Sequence, residues 1–239
     1  METISKLQKE LEKLADSQRA KNLSRFFKCG KGEYGEGDQF LGITVPKIRK
    51  LVRIYGKLDF PEIEELLHSK FHEERLLALL ILVEQFQKAN PLRQKEIFNY
   101  YLANTKYINN WDLVDLTAPK IVGQFVTALR NTVTNNSLLL RLAKSKNLWE
   151  RRIAVLATFA LIKDKQYDQS LRIAELLLND RHDLIHKAVG WMLREIGKRD
   201  PGVEEEFLKK YSKVMPRTML RYAIEKFPEK KRQEYLHLN

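Results

Sequence analysis

Arg152–Ile153–Ala154–Val155–Leu156 sets one basic residue ahead of an apolar run, and the chain repeats this arrangement. It returns as Arg75–Leu76–Leu77–Ala78–Leu79, Lys187–Ala188–Val189–Gly190–Trp191 and Arg221–Tyr222–Ala223–Ile224. Arg152 to Lys187 is 35 residues, and Lys187 to Arg221 is 34. Arg75 to Arg152 is 77 residues, which leaves room for one more unit with its register position near Asp115, 37 residues before Arg152. A period of this length is the mark of helix pairs stacked as a solenoid. The expectation is an all-α protein, a right-handed α-solenoid of HEAT-like repeats forming a single domain over residues 1–239.

The sequence around these runs agrees. Phe71–Lys88, Leu148–Lys163, His182–Lys198 and Arg217–Phe227 are amphipathic with short connections. Thr44 with Pro46, Asp59 with Pro61 and Asn90 with Pro91 each pair a capping residue with a helix-starting proline. No stretch alternates as a strand does. Residues 3–28 place Ile4, Leu7, Leu11, Leu14, Leu23, Phe26 and Phe27 at helical spacing, one or two amphipathic helices. Between Cys29 and Gln39 four glycines break regular structure and make a flexible, partly acidic loop. It has no preceding strand and so does not read as a phosphate-binding loop.

In a solenoid the equivalent helices line one concave surface, so Arg75, Arg152, Lys187 and Arg221 are expected to form a basic stripe along it. The whole chain is basic, with 43 Lys and Arg against 31 Asp and Glu and a net charge of +12, which points to a polyanionic partner, nucleic acid first. A membrane surface or an acidic protein would suit the same balance. No apolar run approaches the roughly 20 residues of a membrane span, and the N-terminus lacks a signal-peptide core. The single cysteine suits a reducing compartment. A cytoplasmic protein, associated with the nucleoid when it acts on DNA, is expected. No cofactor or metal is implied.

Asn109–Asn110–Trp111–Asp112–Leu113–Val114–Asp115 puts two carboxylates and an indole at the start of a helix in this basic chain. With Asn109 or Asn110 as cap, Asp112 falls in the first turn, where exposed N–H groups favour a carboxylate without any function. Asp115 lies a full turn beyond Trp111 on the same face, a pairing that capping does not explain. Trp191 likewise stands a turn after Lys187.

These residues resemble those of a known family, the AlkD-type DNA alkylation repair glycosylases, built from HEAT-like repeats. The matching blocks are Phe40–Leu41–Gly42–Ile43–Thr44–Val45–Pro46, Trp111–Asp112–Leu113–Val114–Asp115, Trp149 followed by Arg152, and Lys187–Ala188–Val189–Gly190–Trp191–Met192–Leu193–Arg194–Glu195, in the family's order. The resemblance implies an enzyme that cuts the N-glycosidic bond of cationic alkylated purines in double-stranded DNA, of the N3-methyladenine and N7-methylguanine type, leaving an abasic site; a monomer is expected. It puts the catalytic aspartate on Asp115, the two flanking tryptophans on Trp111 and Trp191, and a phosphate-contacting arginine on Arg152. A family tyrosine falls on Phe26 here, and the glycine loop is longer.

The chemistry is consistent with those residue types. An alkylated purine already bears positive charge, so its departure needs no general acid, and the barrier lies in the positive charge growing on the sugar. A carboxylate stabilises such an oxocarbenium-like state and orients water, and indole faces attract cations. The competing interpretation is a HEAT-like scaffold that binds DNA or another polyanion without turning it over. The remaining polar features read as structural: Trp149 as core, His182 and His186 as surface histidines without a third metal ligand, and Glu204–Glu205–Glu206 as a solvated first turn after Pro201.

Overall fold

Helices begin where capping residues and prolines mark their starts. Asp59 accepts the Glu62 N–H at 2.9 Å while the Glu62 carboxylate accepts the Asp59 N–H at 3.0 Å, a reciprocal cap. Asn90 accepts the Arg93 N–H at 2.9 Å, and Asn147 accepts that of Trp149 at 2.9 Å. Thr44 opens its helix with Pro46 in the first turn but without a side-chain bond.

In the computed structural model residues 2–129 and 133–237 are described, residues 2 and 133–136 by backbone alone. Among them the chain is helical except for turns and one isolated parallel bridge between Gln39 and Phe71. It divides into two compact units, Met1–Thr117 and Ala118–Asn239. The first contains α1 (Glu2–Leu14), α2 (Ser17–Phe26), α3 (Val45–Tyr55), α4 (Phe60–Leu67), α5 (His72–Lys88), α6 (Pro91–Ala103) and α7 (Trp111–Thr117). The second opens with a π-helical turn, Pro119–Gly123, closed by the Gly123 N–H on the Ala118 carbonyl at 2.9 Å. It continues with α8 (Gln124–Ala128), α9 (Val133–Ala143), α10 (Leu148–Lys163), α11 (Asp168–Leu176), α12 (Asp183–Gly197), α13 (Pro201–Tyr211), α14 (Arg217–Ala223) and α15 (Glu229–His237). The fold is all-α, of the HEAT-like kind expected. No helix among the described residues is long and apolar enough to cross a membrane.

Each unit has its own core. In the first, α5 is buried all round, from Leu76 to Val83, and packs against α3, α4 and α7. A helix apolar on every side is the central element of a layered fold. In the second, α10 has that place, with Ile153–Ala157 buried among the π turn, α9 and α12. Two glycines mark close crossings. Gly42 has φ +84°, and a Cβ there would lie 2.1 Å from the Asp16 carbonyl. A Cβ on Gly190 would lie 2.4 Å from the Met219 carbonyl, which measures how tightly α14 presses on α12.

The helix starts fix the repeat register. Asp115, Arg152, Lys187 and Arg221 are each the fifth residue of their helices, α7, α10, α12 and α14. Arg75 is the fourth residue of α5, so the register expected from the sequence slips by one there and Leu76 occupies the equivalent position. The fourth position has its own chemistry. The Arg75 guanidinium donates to the Ser69 carbonyl at 2.9 Å and that of Arg151 to the Ser145 carbonyl at 3.1 Å, each six residues back. His186 Nε2 donates to the Asp180 carbonyl, again six residues back, at 2.6 Å. These side chains clamp the turn that precedes each helix.

Candidate functional site

The site builds up from the start of α7. Asn110 is fully buried, and it is the cap: its carbonyl accepts the Val114 N–H at 3.2 Å and its Oδ1 the Trp111 N–H at 2.8 Å. Asp112 Oδ1 accepts the Leu113 N–H at 2.9 Å, the helix-start role its position implies. Its Oδ2 has a further partner, His72 Nε2 at 2.8 Å. On the other side of the same ring, Nδ1 meets Asp38 Oδ2 at 2.9 Å. Asp38 also accepts from the Arg75 guanidinium and from Asn110 Nδ2 at 3.3 Å.

This cluster is dry. The side chains of Asp38, His72 and Arg75 are 2%, 3% and 5% exposed, that of Asp112 13%. Burial alone would push the His72 pKa down, but hydrogen bonds to Asp112 and Asp38 outweigh it and carry the imidazole up to about 9, so it is a cation at neutral pH. Burial would likewise raise Asp38, and here the His72 hydrogen bond and the Arg75 charge win and hold the carboxyl below its usual range.

Aromatic rings carry this order to Trp111. Phe40 stacks on His72 with centroids 4.6 Å apart, Phe27 on Phe40 at 5.1 Å, and Trp111 on Phe27 at 5.1 Å and 23°. Phe26, the position that the resemblance gives to a family tyrosine, stands edge-on to Trp111 at 5.8 Å and is 63% exposed. One turn on, Asp115 is half-buried on the same helix, close enough to the buried Tyr101 hydroxyl to add to the upward push that burial gives its pKa. Tyr101 in turn bonds Thr117 Oγ1 at 2.9 Å, fixing the end of α7. Carboxylate and indole therefore share one short helix braced at both ends.

The segment that leads into α3 is fixed by the neighbour of His72. The buried carboxylate of Glu73 accepts the N–H groups of Leu41, Gly42 and Ile43 at 2.9, 2.8 and 3.1 Å. Sequence reading did not mark Asp38, His72 or Glu73 as parts of the site.

In the second unit Trp191 is half-buried and its Nε1 donates to Glu195 Oε1 at 3.4 Å. Lys198 at 2.6 Å and Arg199 at 3.0 Å hold that carboxylate, whose pKa stays low despite its burial. Phe159 lies 6.3 Å from the indole. The basic residues expected on phosphates differ in their surroundings. Arg221 is exposed, and Lys187 is partly exposed beside Asp183 at 2.6 Å. Arg152 is 5% exposed with its guanidinium on the Leu184 carbonyl. Arg75 is 4% exposed and satisfied by Asp38 and Ser69, so it belongs to the scaffold rather than to a phosphate-binding stripe. The row is not four equivalent cations.

Of the other polar features, Trp149 is buried, His182 Nδ1 accepts the Leu184 N–H as a helix cap, and Glu204 is 2% exposed rather than solvated. No group of three His, Cys, Asp or Glu side chains among the described residues is arranged to hold a metal ion.

Residues 7–227 match the family model described as DNA alkylation repair enzyme. The chain belongs to that family. A solved structure described as a predicted DNA alkylation repair enzyme from Enterococcus faecalis superposes with a TM-score of 0.70 at 19% identity, covering 90% of this chain and 97% of its own. AlkD2 from Streptococcus mutans superposes with a TM-score of 0.55 at 19% identity, covering 89% of this chain and 98% of its own. At these identities the likeness is one of fold. A search of curated proteins finds no match. Family membership makes DNA alkylation repair the setting in which the braced Trp111–Asp115 helix is to be understood.

Proposed function

We propose that the protein is a DNA N-glycosylase that hydrolyses the bond between deoxyribose and a cationic alkylated purine, of the N3-methyladenine or N7-methylguanine type, in duplex DNA. The observation that carries the proposal is the placing of Asp115 one turn after Trp111 on a helix held at both ends by buried hydrogen bonds. As the C–N bond lengthens, positive charge grows on the sugar while the purine leaves neutral. Asp115 stabilises that charge and orients the water that adds to the anomeric carbon. The Trp111 face adds attraction to the same cation, roughly 0.5–2 kcal/mol depending on how far the contact is desolvated. Trp191, anchored through its N–H by Glu195, supplies a second indole for the sugar-phosphate backbone. Arg221 and Lys187 offer cations to phosphates, while Arg152, nearly buried, contributes fixed positive charge. The brace matters because a group misplaced by an ångström loses much of its effect on the rate.

The test is release of free N7-methylguanine from methylated duplex by the wild type and by Asp115→Asn in single turnovers, with binding measured alongside. Asp115→Asn keeps the shape and removes the charge, so excision falls by at least about a hundredfold, the usual scale for losing a transition-state charge partner. DNA binding holds or tightens, because a negative charge has left the DNA-facing helix. Equal release by both proteins, or none by either, overturns the assignment and leaves a DNA-binding scaffold.

A further inference from the structure

A neutral imidazole has one N–H and one lone pair, and His72 lies between two carboxylates that both need a donor. Only the imidazolium satisfies both. We propose that His72 is a positioning residue for the reaction: as a cation it ties α7 to the segment around Asp38, and so fixes Trp111 and Asp115 for chemistry. The catalytic half of this inference rests on the glycosylase assignment above, and the geometric half does not.

When His72 loses its proton, one carboxylate must face a lone pair. Asp38 keeps Arg75 and Asn110 as donors and is 2% exposed. Among the described residues Asp112 keeps only its bond to the Leu113 N–H, and it is 13% exposed, so it is the one that turns to water. Its departure loosens the first turn of α7, where Trp111 is its neighbour and Asp115 lies three residues on. The charged groups around His72 are few. Asp38 faces it from the glycine segment, Asp112 from α7, and Arg75 from α5 across Asp38. Glu73, next to it on α5, is occupied by three backbone N–H groups. Cys29, after α2, stays a thiol, since burial and then Asp38 push it up to about 11. Phe27 and Phe40 cover the ring without charge. With burial outweighed by the two carboxylates, the proton leaves as pH rises through about 9, and positioning is complete below that.

Two readouts on the full chain test this. Nuclear magnetic resonance follows the His72 ring and the Trp111 indole N–H against pH without DNA, and single-turnover excision from methylated duplex is measured over the same range. The expected result is a shared midpoint near 9, with the excision rate falling about tenfold per pH unit beyond it, as for a single essential ionisation. In Asp112→Asn one carboxylate is gone, and both midpoints move down by about 1–3 pH units. A Trp111 signal that stays flat while His72 titrates overturns the proposal, as does an excision limb that Asp112→Asn leaves in place. If Asp112→Asn does not fold, the wild-type co-titration decides alone. If Trp111 follows His72 but no excision occurs at any pH, the positioning role stands and the glycosylase assignment falls.

Discussion

Asp38→Ala is the substitution that most directly probes the scaffold beneath α7. The carboxylate is 2% exposed and accepts from His72 at 2.9 Å, from Arg75, and from Asn110 at 3.3 Å. Its removal leaves two buried cations behind. Among the described residues His72 then retains only Asp112, and Arg75 only the Ser69 carbonyl. Breaking a buried pair by deleting one partner costs about 3–5 kcal/mol, chiefly because the remaining charge stays desolvated. At about 2–4 °C per kcal/mol for a chain of this length, the melting temperature drops by roughly 6–20 °C. The assay is thermal and urea unfolding at neutral pH, with Glu36→Ala as the control. Glu36 is an exposed acid of the same loop that bonds only the Gly32 N–H, and its loss stays within about 0.5 kcal/mol. Adding Arg75→Met to Asp38→Ala recovers part of the loss by removing one orphaned charge. An Asp38→Ala protein within about 1 kcal/mol of the Glu36→Ala control refutes the reasoning.

Two further outcomes follow from the second unit. Arg221→Ala weakens duplex DNA binding on any sequence and reduces the slope of log affinity against log salt by about 0.9, one phosphate contact, as titrations at several salt concentrations report; an unchanged slope removes Arg221 from the interface. Glu204 is 2% exposed with Oε1 unbonded, and burial first, then the Glu205 charge, raise its pKa from 4.5 to about 8. The folded protein thus keeps a proton that the unfolded chain gives up. The associated stability is complete below about 4.5, and it is lost as pH rises through about 8. The upper bound is about 5 kcal/mol at ~1.4 kcal/mol per pH unit. Urea unfolding of Glu204→Gln loses this slope between those pH values, and a slope equal to wild type excludes Glu204 as its source.

The helices and their order are legible in the sequence because caps, prolines and apolar spacing are local signals. Asp59, Asn90 and the start of α10 at Leu148 are read directly from neighbouring residues. The Trp111–Asp115 pairing is legible for the same reason, since four residues on a helix fix a shared face. The brace is not. Asp38 stands 34 residues before His72, and Asp112 stands 40 after it, so no spacing connects them. Asp38 also closes a glycine-rich acidic stretch whose composition suggests only solvent. The slip at Arg75 has a similar cause, because two basic columns run side by side one residue apart. In α10 both are arginine, Arg151 and Arg152, and only their partners distinguish the clamp from its neighbour. Phe26 keeps the helical spacing of the apolar residues before it, yet it lies in the last turn of α2 with most of its ring in solvent.

The Glu73 clamp on Leu41–Ile43 also bears on how the chain reaches this state during synthesis. The apolar stripe of α1, Ile4, Leu7 and Leu11, is at most 1% exposed once α1 has docked, and α1 meets the rest of the unit through Tyr55 of α3, which bonds Glu10, and through Glu74 of α5, which bonds Gln8. Neither contact exists when α1 leaves the ribosome. The segment joining α2 to α3 gains its shape only when Glu73 arrives, some 60 residues after α1 ends. At about 5–20 residues per second that is roughly 3–12 s before the segment that leads into α3 can be fixed. Until α5 has been made, the apolar stripe of α1 lacks one of its two docking helices, and chaperones or aggregation compete for it.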